Sequence, residues 1–420
     1  MRIAAPLFLV ILLAPTLASA GPRADVVRLD GTGFVDDGGP FPALGASLFW
    51  AVWGFKQDRA RLEENLETLA GHDVDFIRYF AQVGPKYWED RTVDPHWPDY
   101  DEMLAGAIDL AYAHGLRTEL TIFGGTDNTP DPASRRAFVE RVCTIVRPRA
   151  EKVIFIEIAN EYYHDSIFGL GGEPEIRTLA ALVQSALPNL VTLSAPRSDE
   201  EGCALYGPTP PAPASPLPSA SSLQTTVSLG SIHFSRDIHQ AEGPWRPVRL
   251  PWDYPPPCFP RAGVNNEPIG PGASVASDED PTRLIAAAIS TFLAGLPAYV
   301  YHSHAGIWGG GQRSHGEVNL LDHPTAAATL AGYARMKQLL PPDVATWEKS
   351  AAGRLPFFHP HAATTPPQPS LPGIYATCHA GRCIALLIGV KDDLTFTAAS
   401  EVVLRVYGLP ALSVEQDLSL

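Results

Sequence analysis

Between residues 43 and 340 short apolar runs of strand length alternate with stretches whose apolar residues recur every three or four positions. Ala43 to Phe49 reads as a strand entered from Pro42. Leu62, Leu66 and Leu69 then share one helical face, stopped by Gly71. Val74 to Phe80 predicts the second strand, and Met103 to His114 a helix ending at Gly115. Leu116 to Phe123 predicts the third strand. Asp131-Pro132 starts a helix with Phe138, Val142 and Ile145 as its buried stripe, and Val153 to Ala159 predicts strand four. Leu190 to Ala195, Val227 to Phe234, Ala262 to Asn266 and Pro297 to His302 complete eight strands. Helices begin at Asp280-Pro281 and span Thr325 to Leu340.

Eight strands with intervening helices predict an α/β fold, a (β/α)8 TIM barrel. An open doubly wound sheet would carry a glycine-rich turn after its first strand, and Trp50-Ala51-Val52-Trp53 is not one. Residues 25–41 read as a hairpin capping the bottom of the barrel. Residues 196–226 and Pro244 to Pro260 are rich in proline and read as long irregular excursions. Beyond residue 342 the pattern turns to strands at Gly373 to Thr377, Ile384 to Val390 and Val402 to Val406. The division is therefore a leader at 1–20, a barrel with its cap at 21–342, and a small β-rich, sandwich-like domain at 343–420.

The leader has Arg2 at its positive end, an apolar core from Pro6 to Leu17, and Ala18-Ser19-Ala20 as a cleavage site. That core is shorter than the ~20 residues of a spanning helix. Export is expected, to the periplasm or medium, with a mature start near Gly21. Export makes disulfides possible among the five cysteines. If Ala380-Gly381 is a two-residue turn, Cys378 and Cys383 face each other with Cα atoms ~4.5 Å apart, within disulfide reach. Cys203 and Cys258 could pair across the two irregular stretches. Cys143 sits in a helical pattern as a buried thiol. The formal charge of −15, without a basic block, argues against nucleic acid or an anionic membrane as partner.

The candidate chemistry lies at strand ends, where barrels keep their active sites. In Ile154-Phe155-Ile156-Glu157-Ile158-Ala159-Asn160-Glu161 the alternation turns Glu157 and Glu161 inward, with Glu161 at the top. Strand seven ends Val264-Asn265-Asn266-Glu267-Pro268, with a second carboxylate. Two such groups across a barrel mouth can cleave a glycosidic bond, one protonating the leaving oxygen and one attacking the anomeric carbon. Taken singly, each glutamate is equally a helix cap or a loop ligand. Seven tryptophans (Trp50, Trp53, Trp88, Trp97, Trp245, Trp252 and Trp308) fall after predicted strands one, two, six and eight. Flat rings there suit the C–H faces of sugars. Trp308 and Trp50 are the first candidates, and about half of the set is expected to pack loops instead.

With these residues the chain resembles clan A glycoside hydrolases, in the style of cellulase-like family 5, over about residues 25–340. The resemblance rests on Asn160-Glu161, Glu267, Arg78 in Phe76-Ile77-Arg78-Tyr79, His233 in Ser231-Ile232-His233-Phe234, and the Phe34-Val35-Asp36-Asp37-Gly38 hairpin. It implies Glu161 as acid/base, Glu267 as nucleophile, Asn160 on the sugar 2-hydroxyl, Arg78 holding the nucleophile ionised, and His233 lining the site. It implies retaining hydrolysis of β-glycosidic bonds in an oligo- or polysaccharide. The chain departs from the pattern at Tyr162, where proline is common, and in His302-Ser303-His304-Ala305-Gly306-Ile307-Trp308. Arg78 could equally pair with Glu157, and His233 could be a hydrogen-bonded barrel histidine. His302, His304 and His315 raise a metal, but no helix-face ligand spacing supports it. Asp127 reads as a loop cap. No cofactor is called for, and a monomer acting on carbohydrate is expected. The competing reading is a carbohydrate-binding protein on a catalytically silent barrel.

Overall fold

In the computed structural model of the chain the alternation closes into a ring of strands. The structure describes residues 8–11, 24–88, 90–163, 172–207, 227–233, 245–254, 258–270, 279–310, 316–349, 373–380, 382–388 and 403–419. The barrel strands are β1 (Ala43–Ser47), β2 (Phe76–Gln82), β3 (Arg117–Phe123), β4 (Val153–Ala159), β5 (Leu190–Thr192), β6 (Leu229–Ile232), β7 (Ala262–Asn265) and β8 (Ala298–Tyr301). They pair in parallel in the order β6-β7-β8-β1-β2-β3-β4-β5. Helices Arg59–Ala70, Tyr100–Ala113, Pro132–Val146, Gly172–Ala186, Pro281–Leu293 and Ala326–Leu339 intervene, so the fold is a (β/α)8 barrel. Local chemistry starts these helices as the sequence predicts: Asp131 accepts from Ala133 N and Ser134 N, and Asp280 accepts from Thr282 N.

The strand ladder has one seam, between β5 and β6, and the Tyr206 hydroxyl bridges it. It accepts from Ser231 N at 2.9 Å and Ser194 N at 3.3 Å, donates to Ser194 O at 2.8 Å, and lies 2.9 Å from Thr192 Oγ1. Tyr206 ends the helix Asp199–Tyr206, which lies in the stretch read from sequence as irregular. That reading is corrected: Ser198 Oγ accepts from Glu201 N and caps the helix, and Cys203 is bonded to Cys258. The helical turns Arg246–Arg249 and Leu250–Asp253 correct the reading of the second proline-rich stretch in the same way. Proline at the start of a helical turn is compatible with it, since the missing N–H has no intrahelical partner there. The remainder, 208–226, 234–244 and 255–257, lies outside the described residues.

The cap is a three-stranded antiparallel sheet, Arg28–Asp30, Gly33–Asp36 and Gly39–Phe41, one strand more than the expected hairpin. Its Phe34 enters the lower barrel, 6.0 Å from the ring of Phe155, which lies 5.8 Å from Phe76. Arg117 locks it there, with Nη1 on Asp36 Oδ2 at 2.7 Å and Nη2 donating to Asp25 O at 2.8 Å. The closed bottom leaves the carboxyl ends of the strands as the accessible mouth.

The C-terminal strands Gly373–His379, Arg382–Ile388, Val403–Gly408 and Ser413–Ser419, with Glu348–Lys349, form a separate sheet. Cys378 faces Cys383 in the register deduced from sequence, with Cα atoms 4.2 Å apart, and the two are bonded. Trp252 packs on Tyr375 at 5.4 Å, and Lys349 Nζ donates to Tyr254 O at 2.6 Å, joining this sheet to the barrel. Phe8–Ile11 runs as a strand between Arg382–Ile388 and Val403–Gly408. This differs from the sequence reading, which placed residues 1–20 outside the fold; the apolar run meets two open strand edges. No helix among the described residues is long and apolar enough to cross a membrane.

Two outcomes test this architecture. Tyr206→Phe leaves two buried N–H groups without their acceptor and should cost about 2 kcal/mol, read as a lower urea midpoint at unchanged slope. Thiol labelling of the unfolded, unreduced protein should modify Cys143 alone, the cysteine outside both disulfides, whose thiol burial pushes up to about 11.

Candidate active site

The centre of the mouth is built around Arg78, wholly buried on the inward face of β2. Its Nη1 donates to Glu267 Oε1 at 2.7 Å, and Nη2 donates to Glu157 Oε2 and to Asn160 Oδ1, each at 2.7 Å. Its Nε lies 3.1 Å from Glu119 Oε1. Register explains the meeting: Ser47, Arg78 and Glu119 are opposite one another on β1, β2 and β3, and Thr121 is opposite Glu157. The pairing of Arg78 with Glu157 read from sequence is thus present, and the same guanidinium also binds Glu267. Burial works against its charge, but Glu157, Glu267 and Glu119 more than offset this and raise its pKa.

Glu157 has further donors in Thr121 Oγ1 at 2.8 Å, Ser231 Oγ at 2.5 Å and Asn266 Nδ2 at 3.3 Å. Glu119 has a different balance. Burial, with Glu157 and Glu267 as like charges, outweighs Arg78 and lifts its pKa well above the carboxylate range. It lies beneath the site as the carboxyl group of the cluster that holds a proton most readily. Sequence reasoning passed over Glu119, although its alternation with Leu120 and Ile122 on β3 already turned it toward the axis.

The two strand-end glutamates come together above this layer. Asn160 N donates to Phe123 O at 2.9 Å, and Glu161 then takes a left-handed backbone, φ 34°. Such a conformation costs a non-glycine residue about 1–3 kcal/mol and gathers at functional sites. Tyr162, where the family pattern carries proline, donates its N–H to Ser194 Oγ at 3.0 Å and so holds the turn. His233, after β6, sits between the carboxylates, with Nδ1 2.9 Å from Glu161 Oε1 and 3.7 Å from Glu267 Oε2. One atom from each of Glu161, His233 and Glu267 lies within 4.8 Å of the others, so these three are also the group that could hold a metal ion. On the opposite flank His302 Nε2 is 3.7 Å from Glu267 Oε2. Of the histidines considered from sequence as metal ligands, His302 thus reaches the site as a neighbour of Glu267, and His315 lies outside the described residues.

The aromatic residues divide. Trp308, half-buried at the end of the short helix His304–Trp308, lies 5.2 Å from Trp88, which meets Phe80 at 5.4 Å and Phe49 at 6.2 Å. Phe49 is 5.7 Å from His302, so an aromatic wall leads outward from Glu267. Trp50 is not part of it. Its ring is wholly buried, its Nε1 donates to Ala305 O at 2.9 Å, and Arg61 covers it at 4.6 Å. It supports the Trp308 loop, and burial removes it from any substrate surface. Trp252 likewise is spent on the C-terminal sheet.

A parallel barrel with carboxylates at the carboxyl ends of its strands is a scaffold that serves many chemistries. No family model matches the sequence, and no curated protein does. Solved structures do match in fold. A family 5 glycoside hydrolase from Bacteroides vulgatus has TM-score 0.50 and 13% identity, with 73% of this chain and 70% of that one covered. The exo-beta-1,4-mannosidase Op5Man5 from Opitutaceae bacterium strain TAV5 has TM-score 0.53 and 15% identity, with 74% and 62% covered. A family 5 mannosidase from Rhizomucor miehei, in complex with mannosyl-fructose, has TM-score 0.52 and 13% identity, with 74% and 98% covered. The resemblance inferred from sequence is thus present in the fold.

The raised pKa of Glu119 has a measurable consequence. A glutamate with a raised pKa keeps, in the folded chain, a proton that an unfolded one releases above about pH 4.3. A raised folded-state pKa stabilises fully below the unfolded value, and the contribution falls by up to about 1.4 kcal/mol per pH unit as pH rises. Glu119→Gln should therefore gain stability relative to wild type as pH is raised from about 5 to 8. Denaturant titrations that show a flat difference, or a loss for the variant, would mean that Glu119 is ionised.

Proposed function

We propose that this chain is a secreted, retaining glycoside hydrolase that cleaves β-glycosidic bonds in an oligo- or polysaccharide by double displacement. The observation that carries the reading is the approach of Glu161 and Glu267, with facing atoms within 4.8 Å and His233 between them. Retaining enzymes hold their carboxyl groups about 5–5.5 Å apart, and inverting ones need room for a water. Arg78 occupies Glu267 Oε1, which leaves Oε2 on the side of His233 and His302 to attack the anomeric carbon. Formation of that bond breaks the bond to the leaving oxygen, which takes its proton from Glu161. In the second step a water displaces the sugar from Glu267 and gives its proton to Glu161, now acting as base, which His233 steadies at 2.9 Å. In this reading Asn160, held by Arg78, meets the sugar 2-hydroxyl, and Trp308, stacked near Trp88, lies along a sugar face. The disulfides agree with an oxidising compartment, and we assign the segment through Ala20 as a cleaved leader. Mannosidases among the fold neighbours make β-mannosides the first substrates to try.

The two substitutions should behave differently. Glu267→Gly should abolish hydrolysis, with azide or formate restoring some turnover to product of inverted configuration. Glu161→Ala should lose about 10²–10⁴-fold on natural sugars. It should retain more of its first step on aryl glycosides with acidic leaving groups, then stall until azide releases product of retained configuration. An inverted first product from the wild type, followed by NMR, would remove Glu267 as nucleophile. Trp308→Ala should raise KM by roughly three- to tenfold. A silent carbohydrate-binding barrel would hydrolyse no aryl glycoside at all. Because Glu161, His233 and Glu267 also suit a cation, the protein dialysed against chelator should be assayed. Full activity is expected, and loss restored by zinc would favour a metal hydrolase.

A further inference from the structure

Glu267 is gripped at Oε1 by Arg78, which leaves open what orients Oε2. Among the described residues His233 and His302 approach it, each at 3.7 Å, while the first also serves Glu161 at 2.9 Å. His302 is different in its other nitrogen. Its Nδ1 lies 2.8 Å from the hydroxyl of Ser47, and both residues are buried to within 1%. Resting on the hydrolase reading above, we infer that Ser47 and His302 form a positioning pair that presents an N–H to the attacking oxygen of Glu267.

The tautomer decides whether the pair can do this. A hydroxyl both donates and accepts, so Ser47 alone permits either ring proton. The carboxylate breaks the tie: a lone pair on Nε2 facing Oε2 is repelled, whereas Nε2–H is attracted. Nδ1 must then accept, and the Ser47 hydroxyl donates to it. The 3.7 Å separation is long for a hydrogen bond, as catalytic contacts commonly are before substrate closes on them. The backbones are placed with little freedom. Gly306 packs against Ser47 O and Gly270 against His302 O, so closely that neither has room for a Cβ. Phe49 covers the ring at 5.7 Å. Ser47 is opposite Arg78 on adjacent strands, so the two grips on Glu267 come from one layer of the barrel. The pair would steady the carboxylate as it attacks, and again as it leaves the glycosyl intermediate. It transfers no proton.

Two readouts test this, one of them independent of activity. In ¹⁵N-histidine NMR of the wild type, assigned by the signal lost in His302→Gln, His302 should be the Nε2–H tautomer. An Nδ1–H tautomer overturns the proposal whether or not the protein hydrolyses sugars. In steady-state assays Ser47→Ala should lower kcat about tenfold, and His302→Leu about a hundredfold, with KM little changed. His302→Gln, whose side-chain amide can supply the N–H, should recover to within about fivefold of wild type. A rise in KM alone, or no recovery by glutamine when its melting temperature matches that of the wild type, would reduce the pair to a packing role. Absence of hydrolysis by the wild type would count against the hydrolase reading, and the tautomer would then judge the pair.

Discussion

A single guanidinium organises the mouth of this barrel. Arg78 meets three carboxyl groups and an amide, all of them drawn from the inward faces and ends of β3, β4 and β7. An isolated buried charge is strongly unfavourable, and removing one partner of a buried pair typically costs about 3–5 kcal/mol. One cation cannot balance three anions either. Burial and the two neighbouring carboxylates raise the pKa of Glu119, so the excess of negative charge is relieved most readily there. Glu267 at the mouth is thereby oriented from below, while Glu157 is saturated with donors.

Closure of the barrel and this charge cluster are one system. Ser231 gives its N–H to Tyr206 across the seam and its hydroxyl to Glu157 in the cluster. Asn266, adjacent to Glu267, reaches both Ser231 Oγ and Glu157. A shift of β6 would therefore disturb the layer on which Glu267 stands. His233, one residue beyond β6, would move with it and away from Glu161. The cap works at the other end, where Phe34, Phe76 and Phe155 fill the floor and leave the polar residues to the top.

Much of this was readable along the chain because it depends on local periods. Strand alternation turned Glu157 inward, where it meets Arg78, whereas Glu161 reaches the mouth through a left-handed turn beyond the end of β4. The hairpin register of Cys378 and Cys383 followed from the turn alone. The reading went astray where burial or a distant partner decides. Trp50 follows a strand on the catalytic face, yet it is enclosed by Gly54, Gly309 and Arg61. The helix Asp199–Tyr206 sits in a proline-rich context, and its value comes from a hydroxyl that reaches strands before and after it.

By itself, then, the sequence determined the alternation of strands and helices, the helix caps at Asp131 and Asp280, and the carboxylates at two strand ends. These follow from side-chain period and from hydrogen bonds between near neighbours, which any chain with these residues would favour. Tertiary structure alone decided that Arg78 holds Glu119, Glu157 and Glu267 at once, that the pKa of Glu119 is raised, and that Ser47 meets His302 across 255 residues. Those outcomes depend on inter-strand register and on exclusion of water. Both arise only when the ring of strands closes.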